Sequence, residues 1–384
     1  MKKETLVSIA ERSGCSISTV SRVLSGNAAK YRISQRTVAR VTEEVKRCNY
    51  TPSLLAKGLR TNRTDTIGLL IPNIENSFFA GVAGVVIRES RNYNYKVVVV
   101  DTQEDERNEQ DGLSALLARR VDGIVAAPCG NDAALFASVQ EGGMPLVLID
   151  RYLPDAGMLS YVTTDNYRGA VMAAEYLLEN GHRRIACIQG TPHSMPVRDR
   201  VRGFGDTLRA HGLGDRIVVT GEDFSVQNGY LETKLALAQA ERPTAIFALS
   251  NLILLGVVKA VHESGLRIPD DISVVSFDDN MLFNYLDPAI TCIGQPTDEI
   301  GTLAVKLLIR AVREPGAAPS HLHLPPSLII RRSVRKTKSA RYLSGLLFDK
   351  GMPYARTGMP HFSGSIHFRS IQYKIKRWPM PLTV

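Results

Sequence analysis

The chain has 384 residues, 44% of them hydrophobic and 22% charged, with five cysteines and a formal net charge of +9. That length suits two or three domains, and the composition is that of an ordinary globular protein able to bury large cores. No apolar run approaches membrane-spanning length, and the apolar residues near the N-terminus are broken by Glu11 and Arg12, unlike a secretory signal.

Cys15, Cys48, Cys129, Cys187 and Cys292 lie too far apart in sequence for a zinc motif or a secreted disulfide framework, so a reducing cytoplasm is the expected location. The charge is unevenly spread. Residues 1–65 hold thirteen Lys/Arg against five Asp/Glu, residues 333–384 hold ten against one, and the stretch between holds 24 against 32, a net of −8. A small basic module on an acidic body points to a polyanion met by the module alone, although a basic face can also be merely solvated.

In chain order, "TLVSIAERSG" places Leu6, Ile9 and Ala10 on one helical face and stops at Gly14. In "CSISTVSRVL", Val20, Val23 and Leu24 recur at the spacing of a buried stripe, while Ile17, Ser18, Ser21 and Arg22 fall on the other side. Ser16 caps this second helix, and Ser34 caps a third in "SQRTVARVTEEVKRCNY" with Val38, Val41 and Val45 as its inner stripe. Three short helices with a tight turn between the first two make a helix-turn-helix, whose second helix can enter the major groove; a generic helical hairpin is the plainer alternative. In the first reading Ile17, Ser18 and Arg22 reach base edges, with Arg22 able to bond guanine bidentately and Ile17 to touch thymine methyls. Ser16, Thr19 and Ser21 suit phosphates, and Thr5, at the head of the first helix, is counted with them.

The next segment, "YTPSLLAKGLRTNRT", is broken from the third helix by Pro52 and can start a short helix capped by Ser53, too short to persist alone in water and weakened by Gly58. It reads as a switch segment, or more plainly as a linker. From Asp65 onward, apolar strands alternate with amphipathic helices: "TIGLLI", "KVVVV", "GIVAA", "LVLI", then "RIACI", "RIVV", "AIFAL" and "SVVSF". Such alternation makes parallel sheets with helices on both faces, and two sets make two lobes. Ligands of such sheets sit beyond the carboxyl ends of the strands. Asp150 and Arg151, Ser250 and Asn251, and Asp278 and Asp279 occupy such ends, and Phe78 and Phe79 follow the first strand.

The stretches "TLVSIAERSGCSISTVSRVLSG" and "RISQRTVARVTEEVKRCNYTPSLLAKGLRTNRTDTIGLLIPNIENSFFAGV" closely resemble the lactose-repressor (LacI/GalR) family of bacterial transcription regulators. The resemblance runs to "LPPSLIIRRSV", about 330 of the 384 residues, and the loop "NAAKYRIS" is similar to the fructose-repressor branch. It implies a hinge segment that becomes helical when paired on operator DNA, with Leu59 wedged into the minor groove and Lys57 facing it. It implies an effector domain like the periplasmic binding proteins, with the chain crossing three times between lobes and ligand in the cleft. Ser194, Arg200, Phe224 and Gln295 match further ligand-facing positions, while many relatives carry Asn-Asp where this chain has Ser250 and Asn251. Carboxylates, arginine and aromatic faces together suit a polyhydroxylated ligand.

The organisation expected is therefore α/β with an N-terminal helical module: a helix-turn-helix domain (1–52), a hinge (53–64), a two-lobed effector and dimerisation domain (65–336) and a basic extension (337–384). The extension lacks leucine heptads and reads as disordered or loosely attached, with an added nucleic-acid contact as the alternative. Enzyme signatures are missing. "GFGDTL" is only part of a dinucleotide fingerprint, no nucleophile elbow or P-loop occurs, and His321 and His323 of "HLHL" lack further metal ligands, so no cofactor or metal is expected. The function expected is a homodimeric repressor of carbohydrate-metabolism genes that binds pseudo-palindromic operator DNA under control of a small sugar or sugar phosphate. A transported-solute binding protein is the alternative.

Overall fold

The computed structural model describes residues 4–50, 63–153 and 157–337. Lys57 and Leu59, with nearly all of the expected hinge, and the basic extension beyond Thr337 lie outside the described residues.

The N-terminal module contains α1 (Leu6–Ser13), α2 (Ile17–Leu24) and α3 (Gln35–Arg47). Each starts at a hydroxyl: the side chains of Thr5, Ser16 and Ser34 accept from the backbone N–H groups of Ser8, Thr19 and Thr37. Each stops in the same manner. The left-handed residues Gly14, Asn49 and Gly26 reverse the chain, and the next N–H returns to the final turn, from Cys15 to Ala10 O, Tyr50 to Val45 O and Asn27 to Arg22 O. The helices close on a small core of Ile9, Ala10, Val20 and Val41, joined by half-buried Leu6, Val23, Leu24 and Val45. Val38, expected in the inner stripe, is half-buried and outside that cluster. Three residues before Val41 it sits about 60° round the helix, whereas Val45 and Cys48 stay close to the buried line.

The body is two lobes of one plan. β1 (Thr66–Ile71), α4 (Ser77–Asn92), β2 (Lys96–Asp101), α5 (Glu106–Ala118), β3 (Gly123–Ala126), α6 (Ala133–Glu141), β4 (Leu146–Ile149) and β5 (Ser160–Thr164) build the first. The second holds α7 (Asn166–Glu179), β6 (Ile185–Ile188), α8 (Met195–Ala210), β7 (Val218–Thr220), α9 (Val226–Leu237), β8 (Ala245–Ala248), α10 (Asn251–Glu263), β9 (Ser273–Phe277) and β10 (Thr291–Gly294). Then α11 (Thr297–Arg313) and β11 (His321–Leu324) return to the first lobe and β12 (Ser327–Ile329) to the second.

The sheet orders, β11-β5-β4-β3-β1-β2 and β12-β10-β9-β8-β6-β7, are the same order strand for strand. The lobes are thus structural duplicates, and the chain crosses between them at Thr164–Asn166, Gly294–Thr297 and Leu324–Ser327. Helices α4 and α11 cover one face of the first sheet, and α5 and α6 the other. In the second lobe α7 and α8 lie opposite α9 and α10.

All eight strands read from the apolar runs are present, with β7 starting at Val218 behind a 3-10 turn over Gly214–Arg216. Ser160–Thr164, Thr291–Gly294 and Ser327–Ile329 are not legible as strands in the sequence because they are short, three to five residues, and the first is Ser/Thr-rich. The last runs antiparallel to β10, so the second sheet is mixed. The chain enters the first lobe where Thr64 and Asp65 donate their N–H groups to Asp122 at 2.8 and 3.0 Å. At the other end Thr337 N donates to Asn180 O at 2.9 Å, holding the C-terminal end of the described chain on the second lobe.

The module's core is so small that one side chain decides its stability. Ile9→Ala should cost about 2–5 kcal/mol, a large share of what a domain of this size has to spare. Calorimetry should show the module's melting lost or strongly lowered, with the transition of the two-lobed body unchanged.

Candidate functional site

On α2 the division expected from the sequence is present: Val20 is fully buried, while Ile17, Ser18 and Arg22 are exposed and Ser21 is half-buried. Ser16 and Thr19 hydroxyls bond each other at 2.9 Å at the start of the helix, and Thr5 forms a reciprocal capping box with Ser8 at the start of α1. None of the three helices has an acidic residue in its first turn. In the body, by contrast, Asp105, Asp132 and Asp165 cap α5, α6 and α7. Helix N-termini carry partial positive charge, which a capping carboxylate neutralises and a hydroxyl does not. The N-termini of α2 and α3 are therefore free of carboxylates and suited to phosphate, beside a surplus of basic side chains, whereas Glu4, just before the cap of α1, accepts from Ser8 Oγ at 2.6 Å.

The second site lies between the lobes. Asp150 follows β4 and Asp278 follows β9, equivalent strands of the duplicate, and both adopt left-handed φ, +60° and +71°. Both are buried, as are Arg151 and Arg200. Arg200, from α8, donates Nε to Asn166 Oδ1 at 2.8 Å and Nη1 to Leu249 O at 2.7 Å, with its guanidinium carbon 3.6 Å from the centroid of Phe277. Gln295 donates Nε2 to Asp278 Oδ1 at 2.6 Å and accepts from Thr164 Oγ1, so two of the three interlobe crossings are bonded to one another and to this carboxylate. Asn251, at the start of α10, reaches across the lobes: its Nδ2 donates to Asn76 Oδ1 at 2.9 Å and to Ser77 Oγ at 2.8 Å, at the head of α4.

Burial pushes the Asp150 carboxyl up from 3.8 to about 6, against the pull of Arg200 and Arg151; Asp278 and Glu104 push it further up. Burial likewise raises Asp278, opposed by Arg200 and by its hydrogen bonds from Gln295 and Asn251. Burial also lowers Arg200, opposed by both aspartates. Arg151 behaves differently: burial acts to lower it, but a two-pronged bond to Glu104 at 2.6 and 2.7 Å, with Asp150 nearby, leaves it raised. Among the described residues, Asp150 Oδ1, Asn251 Oδ1, Ser194 Oγ and Arg151 Nε are buried without a hydrogen-bond partner. Each such atom costs about 1–3 kcal/mol unless a ligand satisfies it.

Of the residues expected to face ligand, Asp150, Arg151, Arg200, Asn251, Asp278 and Gln295 are thus linked by bonds or by charge, while the buried Ser194 hydroxyl makes no bond to them. Phe224 half-covers the cleft from the second lobe, its ring 5.3 Å from the Arg151 guanidinium, and Phe79 lies 5.9 Å from the same group. Phe78 packs edge-on against Phe79 within the first lobe's core, and the Ser250 hydroxyl is occupied in capping α10. Asp279 pairs with Arg331 at 2.9 Å, away from the cluster. Sequence reasoning missed Glu104, Asn76, Ser77, Thr164 and Asn166. Asn76 was legible as a cap before "SFF", and Asn166 as the residue after a Ser/Thr-rich strand, had that strand been recognised. His321 and His323 stand on β11 against Tyr161. Among the described residues no cluster of His, Cys, Asp or Glu could hold a metal, and no helix is long and apolar enough to cross a membrane.

An open helix-turn-helix joined to a two-lobed body with a charged interlobe cleft defines a DNA-binding regulator that answers to a small ligand. The family model "Bacterial regulatory proteins, lacI family" matches residues 5–53, and that of the periplasmic binding protein-like domain matches residues 174–334. The ribose operon repressor of Escherichia coli (strain K12) is 33% identical over 333 residues, 86% of this chain and 99% of that protein. The lac repressor dimer bound to operator and the anti-inducer ONPF matches with a TM-score of 0.77 at 25% identity, over 87% of this chain and 100% of that one. A LacI family transcriptional regulator from Enterococcus faecium with bound ribose gives 0.65 at 28% identity, over 71% and 100%. The chain belongs to the lacI family of bacterial regulatory proteins, and it is a DNA-binding transcription regulator.

The raised Asp150 has a measurable consequence. Because the folded protein holds that proton more tightly than the unfolded chain, the carboxyl favours folding most below pH 3.8, and this contribution is lost as pH rises through about 6. Asp150→Asn keeps the shape and cannot ionise. It should therefore raise the melting temperature of the protein without effector at pH 7.5, by a free energy on the order of 2 kcal/mol, with the gain fading toward pH 4. A variant less stable than wild type at pH 7.5 would mean that the arginines hold Asp150 as a favourable anion.

Proposed function

We propose that the chain is a homodimeric repressor of carbohydrate-metabolism genes whose hold on operator DNA is set by a neutral sugar bound between the lobes. One observation carries the effector reading: Asp150 and Asp278 converge from equivalent strand ends of opposite lobes, with buried acceptors at Asp150 Oδ1 and Asn251 Oδ1 still to be satisfied. Acceptors in that position call for a ligand rich in O–H donors. The charges argue against a phosphate. Asp150, Asp278 and Glu104 face only Arg151 and Arg200, and Arg151 is already engaged by Glu104. A pentose such as ribose, the ligand bound in the Enterococcus faecium relative, meets these requirements, with Phe224 and Phe79 covering the apolar side of the ring.

In this reading Ile17, Ser18 and Arg22 read bases, Thr5, Ser16, Thr19 and Ser21 hold phosphates, and Lys57 and Leu59 enter the minor groove. Two modules are needed to span a palindrome. Exposed Met281, Leu282 and Tyr285 on a 3-10 turn of the second lobe, and Leu255 on α10, offer apolar surface for a twofold contact. The protein would lie in the cytoplasm with the DNA it controls, without catalytic activity. A transported-solute binding protein shares the two-lobed body but leaves the helix-turn-helix without a use.

The test begins with a melting-temperature screen of ribose, other aldoses and ribose 5-phosphate. A ligand present at a hundredfold over its Kd adds about 2.7 kcal/mol to the folded state. A neutral aldose should raise the melting temperature and ribose 5-phosphate should not; the reverse result would overturn the neutral-ligand reading. With the stabilising sugar in hand, Asp278→Ala should abolish the sugar's effect on operator titrations while leaving sugar-free operator affinity within about twofold, since the module's fold is independent of the cleft. A variant responding at wild-type sugar concentrations would place the effector elsewhere.

A further inference from the structure

The guanidinium carbon of Arg22 lies 4.0 Å from the centroid of the Tyr31 ring. Tyr31 stands outside the module's core and is 48% exposed, so burial does not account for its place. It is carried there by a loop that backbone bonds fix against the end of α2. Gly26 turns the chain at φ +71°, Asn27 N donates to Arg22 O at 2.9 Å, Tyr31 N to Asn27 O at 3.3 Å, and Ile33 N to Ala28 O at 2.9 Å. The acidic side chains that pair with arginine in this module engage Arg12 and Arg47, not Arg22.

Stacking engages the flat face of a guanidinium and leaves its N–H edge in the plane. Bidentate recognition of guanine uses that edge. An exposed arginine must otherwise give up its rotamer freedom when it meets a base, and a pre-stacked one gives up less. We infer that Tyr31 is a positioning residue that holds the Arg22 guanidinium ready for one base pair of the operator half-site. The inference rests on the reading of Arg22 as a base contact, and it gives the loop between α2 and α3 a part in sequence specificity.

The experiment uses the full chain, an operator recovered by selection from a randomised duplex pool, and duplexes in which each base pair of the half-site is replaced in turn. Arg22→Ala identifies its base pair as the one whose replacement weakens wild type but not the variant. Tyr31→Ala should weaken operator binding by about three- to tenfold, with no loss on the duplex lacking that base pair and none when added to Arg22→Ala. Tyr31→Phe keeps the ring and should stay within about twofold of wild type. A Tyr31→Ala loss spread evenly over all duplexes, an additive loss in the double variant, or a Tyr31→Phe loss as large as that of Tyr31→Ala would overturn positioning in favour of a backbone or hydroxyl contact. If Arg22→Ala changes no base preference, the base-reading role and the inference fall together. If Arg22→Ala changes it and Tyr31→Ala does not, the inference alone falls.

Discussion

The architecture turns on charge buried between two lobes. Asp150, Arg151, Arg200 and Asp278 are all withdrawn from water, and an unpaired charge in such surroundings is too costly to keep. Arg200 donates to Asn166 and to the Leu249 carbonyl, and its charge acts through space on two aspartates, one from each lobe. The arrangement depends on the internal duplication. Equivalent strand ends supply equivalent aspartates, and a left-handed residue at each turns the carboxylate toward the space between the sheets. The chain's own crossings contribute too, since Thr164, Asn166 and Gln295 belong to the connecting segments and bond directly into the cluster. The interlobe crossings and the buried charge cluster are therefore one hydrogen-bonded network.

The DNA-binding module follows the opposite economy. It buries Ile9, Val20 and Val41 completely and Ala10 almost so, and it places no acidic residue in the first turn of any of its three helices. Little hydrophobic surface holds it, so hydroxyl caps and left-handed stops do a large share of the folding. In the body aspartate caps three helices and serine or asparagine four others.

What could be read from the sequence was what is periodic or punctuated. The stripe of Val20 against Ile17 and Arg22, the caps Ser16 and Ser34, and the stop at Gly14 are all local, and each is where the pattern put it. The long apolar strands were equally legible, whereas β5, β10 and β12 were hidden because three to five residues carry too little alternation. The cleft was half legible. Charged residues directly after strands revealed Asp150, Arg151 and Asp278, but the partners that make them tolerable come from distant segments. Glu104 beside Arg151, Asn166 beside Arg200 and Asn76 beside Asn251 are set by tertiary packing. Tyr31 belongs with them, because its position depends on how the loop folds back on α2.

A cleft ligand can influence DNA only by preferring one arrangement of the lobes over another. Some of the preference is built into the protein, since Asn251 Nδ2 bonds Asn76 and Ser77 across the lobes without any ligand atom. An ionised aspartate at that position would offer no such donor and would need another hydrogen source to bridge the gap. With asparagine the lobes hold each other directly, so a cleft ligand acts on lobes that are already bridged. The rearrangement then has a short route outward. Thr64 and Asp65 are bound by their backbone N–H groups to Asp122 of the first lobe, so the segment leading to the DNA-binding module must move with that lobe. A change in the angle between the lobes therefore carries Thr64 and Asp65 along with the first lobe.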